Sequence, residues 1–224
     1  MKGQNSEGLG NWYILNMKYN INNDWSVFAE SQLRSLQFNN EFNYYEFKGG
    51  VNYKFKKKFK VTIGAGSYQT YRDGGNFLTP KNNDEFRVWP QFVLFHEIGK
   101  FKVEQRYRSE LRFTTNGYRN RYRYRIGVSY PFGKVVDGYK PFQLSTSNEM
   151  FFTDSEQFFE RNRVIIALSI KTSTKSTFQI GYLHQFDNKI NDAIGRDFLK
   201  VGYFIEIFSK QNKDNQSADD LKDD

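Results

Sequence analysis

Tyr118-Arg119-Asn120-Arg121-Tyr122-Arg123-Tyr124-Arg125-Ile126 places an arginine at every second position. In a β-strand, alternate side chains point to opposite faces. One face of this strand is therefore a ladder of four guanidinium groups, and the other is mainly rings and hydrocarbon. Four neighbouring like charges need counter-charges or water. The opposite face needs an apolar medium.

The same division runs along most of the chain. Eleven alternating segments lie near 12–21, 25–37, 42–55, 59–72, 85–98, 101–114, 117–131, 141–153, 157–172, 176–188 and 197–208, and none carries a helical period. Turn-rich breaks such as Asn22-Asn23-Asp24 and Thr115-Asn116-Gly117 separate them. The stretch from Asp73 to Asn83 reads as a long surface loop, and Asn188 to Arg196 as another. The chain is expected to hold an N-terminal extension over 1–10, one barrel domain over 11–209 and a disordered acidic tail over 210–224.

One parity carries Leu15, Val27, Phe47, Val51, Ile63, Phe92, Leu111, Ile166, Ile180, Val201 and their like. The other carries Glu30, Arg34, Glu46, Lys48, Glu85, Arg87, Glu104, Arg106, Arg108, Glu110, Arg112, Arg119, Arg121, Arg123, Arg125, Glu149, Arg161, Arg163, Lys200 and Glu206. Parity alone does not say which face is inside. Three features favour an apolar exterior in a membrane. The segments are long enough to cross a bilayer at a tilt. Tyrosines recur near segment ends, as in interfacial girdles. The charged face uses Arg opposed by Glu, which suits fixed, partly desolvated pairing.

Composition fits. Mean hydropathy is −0.76, which a transmembrane barrel tolerates because half of each strand faces a polar lumen. Aromatic content of 18%, from 15 Tyr and 23 Phe, argues against a disordered chain. With no cysteine and two histidines, a disulfide scaffold and a Cys- or His-built metal site have no basis. Met1 to Glu7 lacks the hydrophobic segment of a signal peptide. We expect a mature chain whose leader has been replaced by a methionine.

Two resemblances sharpen this. Lys200-Val201-Gly202-Tyr203-Phe204-Ile205-Glu206-Ile207 resembles the terminal assembly signal of bacterial outer-membrane barrels, although residues follow it here. From about Gly10 to Phe208 the chain is similar to an uncharacterised Gram-negative outer-membrane β-barrel family, a domain-of-unknown-function family. Gly10-Asn11-Trp12-Tyr13, the run Gly64 to Arg72, Glu104-Gln105-Arg106-Tyr107-Arg108, Arg119 to Arg125 and Phe159-Glu160-Arg161-Asn162-Arg163 carry the likeness. The resemblance implies an outer-membrane barrel and no particular activity.

The expected fold is therefore all-β, a closed antiparallel up-and-down transmembrane β-barrel of 10–12 strands. Twelve is favoured because bacterial single-chain barrels hold even numbers. Long loops at 37–41, 73–84 and 189–196 are expected outside the cell, and short turns at 22–24, 56–58, 99–100 and 173–175 in the periplasm, with the fairly long connection 132–140 an exception on the periplasmic side.

No catalytic constellation is legible. His96 and His184 fall on the apolar parity, and the glutamates sit among arginines as structural partners. Gly64 and Gly66 lie within a strand and mark a close backbone approach. Arg and Tyr lie on opposite faces, which argues against nucleic acid. The expectation is a monomer in the bacterial outer membrane, in contact with lipid and lipopolysaccharide. It has no cofactor, no metal and no enzymatic activity. Its lumen either passes small anions or is plugged by Arg–Glu pairs. The alternatives are an outer-membrane enzyme acting on lipid or surface glycan, and a soluble barrel holding a hydrophobic ligand.

Overall fold

A computed structural model describes residues 4–56, 58–136, 138–155, 157–189 and 192–209. Among these, eleven strands close into a barrel. They are β1 (Gln4–Asn20), β2 (Trp25–Gln37), β3 (Asn40–Phe55), β4 (Phe59–Arg72), β5 (Leu78–Ile98), β6 (Phe101–Thr114), β7 (Gly117–Phe132), β8 (Phe142–Thr153), β9 (Phe159–Ser173), β10 (Ser176–Lys189) and β11 (Asp192–Phe208). Each strand pairs antiparallel with the next in sequence.

The expected even count gives way to eleven, and closure changes with it. In an up-and-down barrel an odd count brings the first and last strands together pointing the same way. β1 and β11 accordingly pair in parallel, in unbroken register from Leu9 opposite Asp197 to Asn20 opposite Phe208. Side chains reinforce this seam. Trp12 meets Phe198 edge to face at 5.6 Å, and Lys18 Nζ lies 2.7 Å from Glu206 Oε1.

Local chemistry sets the turns. Asn22 Oδ1 accepts hydrogen bonds from the backbone N–H groups of Asp24 (3.0 Å) and Trp25 (2.7 Å), closing the β1–β2 turn. Gly99, at φ 59°, supplies the left-handed residue of the two-residue β5–β6 turn. We call the barrel end with the β4–β5 turn upper and the end with the β7–β8 connection lower.

Two loop expectations change. The stretch 78–83 is strand rather than loop, because β5 starts at Leu78 and its Asn83 pairs with Thr70. The expected loop at 189–196 is likewise strand from Asp192, where β11 starts. The longest connection, between Phe132 and Phe142, lies at the lower end with the short turns, as the exception expected of 132–140. Residues 4–10, expected as an extension, belong to β1. The expected tail, 210–224, lies outside the described residues.

Burial is inverted relative to a water-soluble barrel. Phe47 is 61% exposed, Ile63 56% and Ile166 52%, all on the outer face. Glu110 is 0% exposed and Arg121 3%, both facing in. The apolar parity is outside and the charged parity fills the interior.

Candidate functional site

Strands β5 to β9 build a charged wall. Register places Arg106 opposite Arg125, Arg108 opposite Arg123, and Glu110 opposite Arg121 on β6 and β7. Like charges directly opposite are destabilising, so the wall depends on its acids. Glu110 is the hub. Its carboxylate lies 2.6 Å from both Arg121 and Arg123, 3.5 Å from Arg108 and 3.9 Å from Arg87. Glu149 on β8 pairs with Arg123 at 2.7 Å and also with Arg106. Glu85 joins Arg87 (2.8 Å) to Arg112. Arg125 pairs with Glu104, and Arg161 with Asp187.

A second group comes from β2 and β3. Lys48 bridges Glu30, at 2.6 Å, and Glu46. Arg34 pairs with Glu46 at 3.1 Å. Its guanidinium also stacks 3.4 Å from the Trp12 ring and 3.9 Å from Tyr44.

Sixteen of the seventeen residues expected to line the lumen do so; Arg119 shares their face, opposite Arg112, but departs in height. Arg119 is exposed at the upper end of β7, beyond the packed interior. There, Asp154 in the β8–β9 turn accepts the Asn120 side-chain amide at 2.7 Å, which lowers its pKa.

Sequence parity also misses members. Glu160 reaches Arg121 at 3.3 Å and Arg112 at 3.5 Å, although its parity points outward. A register shift between Phe151 and Phe152 leaves Glu160 as an extra residue on β9. Such a bulge re-aims a side chain, and strict alternation hides it.

The wall of β1, β10 and β11 is different. Trp12, Leu183 and Phe198 form a buried apolar cluster inside the barrel, flanked by Ile14 and Ile165. The runs Trp12-Tyr13-Ile14-Leu15 and Val164-Ile165-Ile166-Ala167 are apolar on both parities, and that is its sequence signal. Opposite, Trp89 is fully buried against β4, where a Cβ on Gly64 would come within 2.5 Å of its ring. The close approach expected at Gly64 is thus the seat of Trp89.

Two cavities meet in the middle of the lumen. The upper one is about 260 Å³ and the lower about 370 Å³. Both touch Trp12, Gln32, Lys48, Arg108, Arg123 and Arg163, which form the layer between them. The lower end widens into a third space of about 570 Å³ bordered by Ser145, Ser147, Lys54 and Lys200.

Metal-ligating clusters of three or more His, Cys, Asp or Glu are absent among the described residues. Outside the barrel, His184 Nδ1 lies 2.7 Å from Asp197 Oδ1, which also accepts the Tyr182 hydroxyl at 2.5 Å. This trio is not legible in the sequence, because the Asp197–His184 pairing depends on β10–β11 register. Among the described residues, no Ser or Thr hydroxyl hydrogen-bonds His184 to act as a nucleophile.

The chain belongs to the family described as "Protein of unknown function (DUF2490)", which matches residues 9–195. No curated protein matches it. No solved structure matches it.

Proposed function

We propose that this protein is a monomeric barrel of the bacterial outer membrane, with lipid and lipopolysaccharide against its apolar face. One observation carries the reading: aliphatic and aromatic side chains cover the outside while paired charges fill the inside. Water favours the reverse arrangement, and a bilayer favours this one. Two aromatic belts support it. Trp25–Tyr53, Phe55–Phe59 and Phe132–Phe142 pair near the lower end. Tyr71–Phe77, Phe113–Tyr118 and Phe152–Phe159 pair near the upper end. Rings in such belts sit at headgroup level. The charged interior gives the hydrophobic-ligand alternative no support.

Ile166→Arg or Val201→Arg tests this reading. Each should cost about 2–4 kcal/mol at mid-membrane, read as urea unfolding in lipid vesicles. Variants that fold like the parent would place the apolar face elsewhere than in lipid.

Within that barrel the lumen serves as a scaffold or as a narrow, passive, anion-leaning conduit. Long side chains leave small barrels little open space, and the layer of Trp12, Gln32, Lys48, Arg108, Arg123 and Arg163 crosses the middle. Planar-bilayer recordings are expected to give either no conductance or a reversal potential shifted toward anions. A cation-selective channel would contradict both. No catalysis is proposed. Phospholipid or glycan ester hydrolysis that disappears in His184→Ala or His96→Ala would overturn that.

A further inference from the structure

Arg163 stands apart from the other basic groups of the upper cavity. Ten basic side chains line that cavity against four acidic ones. Nine of the ten have a carboxylate within 4.0 Å. Arg163, only 7% exposed, has none among the described residues. Among the described residues its one side-chain hydrogen bond runs from Nε to Gln185 Oε1 at 2.8 Å. A buried charge without a counter-charge is costly, so this position calls for an anion from outside the chain.

The surroundings fit one. Arg163 borders both cavities and so sits at the floor of the upper one. Trp12 holds two cations close together, with Arg34 at 3.4 Å and Arg163 at 4.8 Å from its ring. Phe151 faces Arg163 at 4.7 Å. Arg34 Nε is buried with no hydrogen-bond partner among the described residues. Glu30, Glu110, Glu149 and Asp73, reached by ion pairs outside the lining, raise the acids to eight. Arg106, which shares Glu149, raises the bases to eleven and leaves an excess of three positive charges. A doubly charged oxyanion offsets most of that excess, and guanidinium forks match phosphate oxygens in pairs. Space is sufficient, since about 10–15 Å³ holds one water and the cavity offers about 260 Å³.

We propose that Arg163, with Arg34 beside it, binds a phosphate group, either free or on a small phosphomonoester, at the floor of the upper cavity. The proposal rests on the reading of this chain as a barrel with a solvated, charged lumen.

The test uses the folded full chain in detergent at about pH 8, where phosphate monoesters are dianionic. Inorganic phosphate and glycerol phosphate are titrated by calorimetry and tryptophan fluorescence, with acetate as the monoanion control. Saturable binding of phosphate, weakened about tenfold or more in Arg163→Gln and unchanged in Arg119→Gln, is the expected result. Tighter binding of glycerol phosphate would assign the site to a phosphomonoester, and tighter binding of inorganic phosphate to the free ion. If Arg163→Gln does not fold, Arg163→Lys keeps the charge but loses the fork, and should still weaken binding. No saturable binding by the folded parent, equal binding of acetate, or indifference to every Arg163 variant would overturn the site. The barrel reading fails separately. Its failure would appear as protein that stays in the aqueous phase on detergent partition, whatever phosphate does.

Discussion

Two walls of one lumen solve the same burial problem in opposite ways. On β5 to β9, arginines face arginines, and shared acids such as Glu110 hold them together. On β1, β10 and β11, Trp12, Leu183 and Phe198 simply pack. The charged wall is cooperative, because each carboxylate serves several guanidiniums and removing one strands the rest. The apolar wall is local, because dispersion and area burial are shared over many weak contacts. The apolar wall also adjoins the parallel seam, whose slanted hydrogen bonds are slightly weaker per residue. Packing at Trp12 and Phe198 lies across that seam.

This contrast ranks the expected effects. Glu110→Gln should be the most damaging, since four arginines surround that carboxylate. A loss of about 3–5 kcal/mol is expected by analogy with breaking buried ion pairs, read by urea unfolding of the detergent-folded barrel. A cost below about 1 kcal/mol would mean that the wall is not a network. Leu183→Ala should follow at about 2–3 kcal/mol, near the low end for large-to-small changes because it borders space into which neighbours relax.

Gly64→Ala should cost about 1–3 kcal/mol, because its new methyl would enter the Trp89 ring position. Trading Trp89 for Leu in the same chain should recover part of that loss, and no recovery would disprove the steric cause. Arg119→Gln is the smallest change, within about 0.5 kcal/mol. Arg121→Gln, two positions along the same ladder, should cost several times more, since Arg121 lies 2.6 Å from Glu110. Similar costs for the two would mean that depth in the lumen does not set their roles.

Alternation made much of this readable beforehand. Arg121, Arg123 and Arg125 share a face because backbone pleating fixes it, and their chain neighbours Tyr122 and Tyr124 must share the other. Low mean hydropathy and abundant aromatics follow from that one rule, as do the positions of nearly all the ladder residues. Glu160 escaped because one inserted residue reverses a period of two. Arg119 was misplaced because parity gives a side chain's direction and not its height along the barrel.

The sequence by itself determined that two incompatible faces run the length of the chain, since that property belongs to each strand alone. Three things waited for the tertiary structure. Which face is inside depends on the sense in which the sheet curls. The parallel β1–β11 seam depends on the count of strands around the whole ring. The lone position of Arg163 depends on which acids from distant strands reach each arginine, and only closure of the barrel brings those strands within a few ångströms of one another.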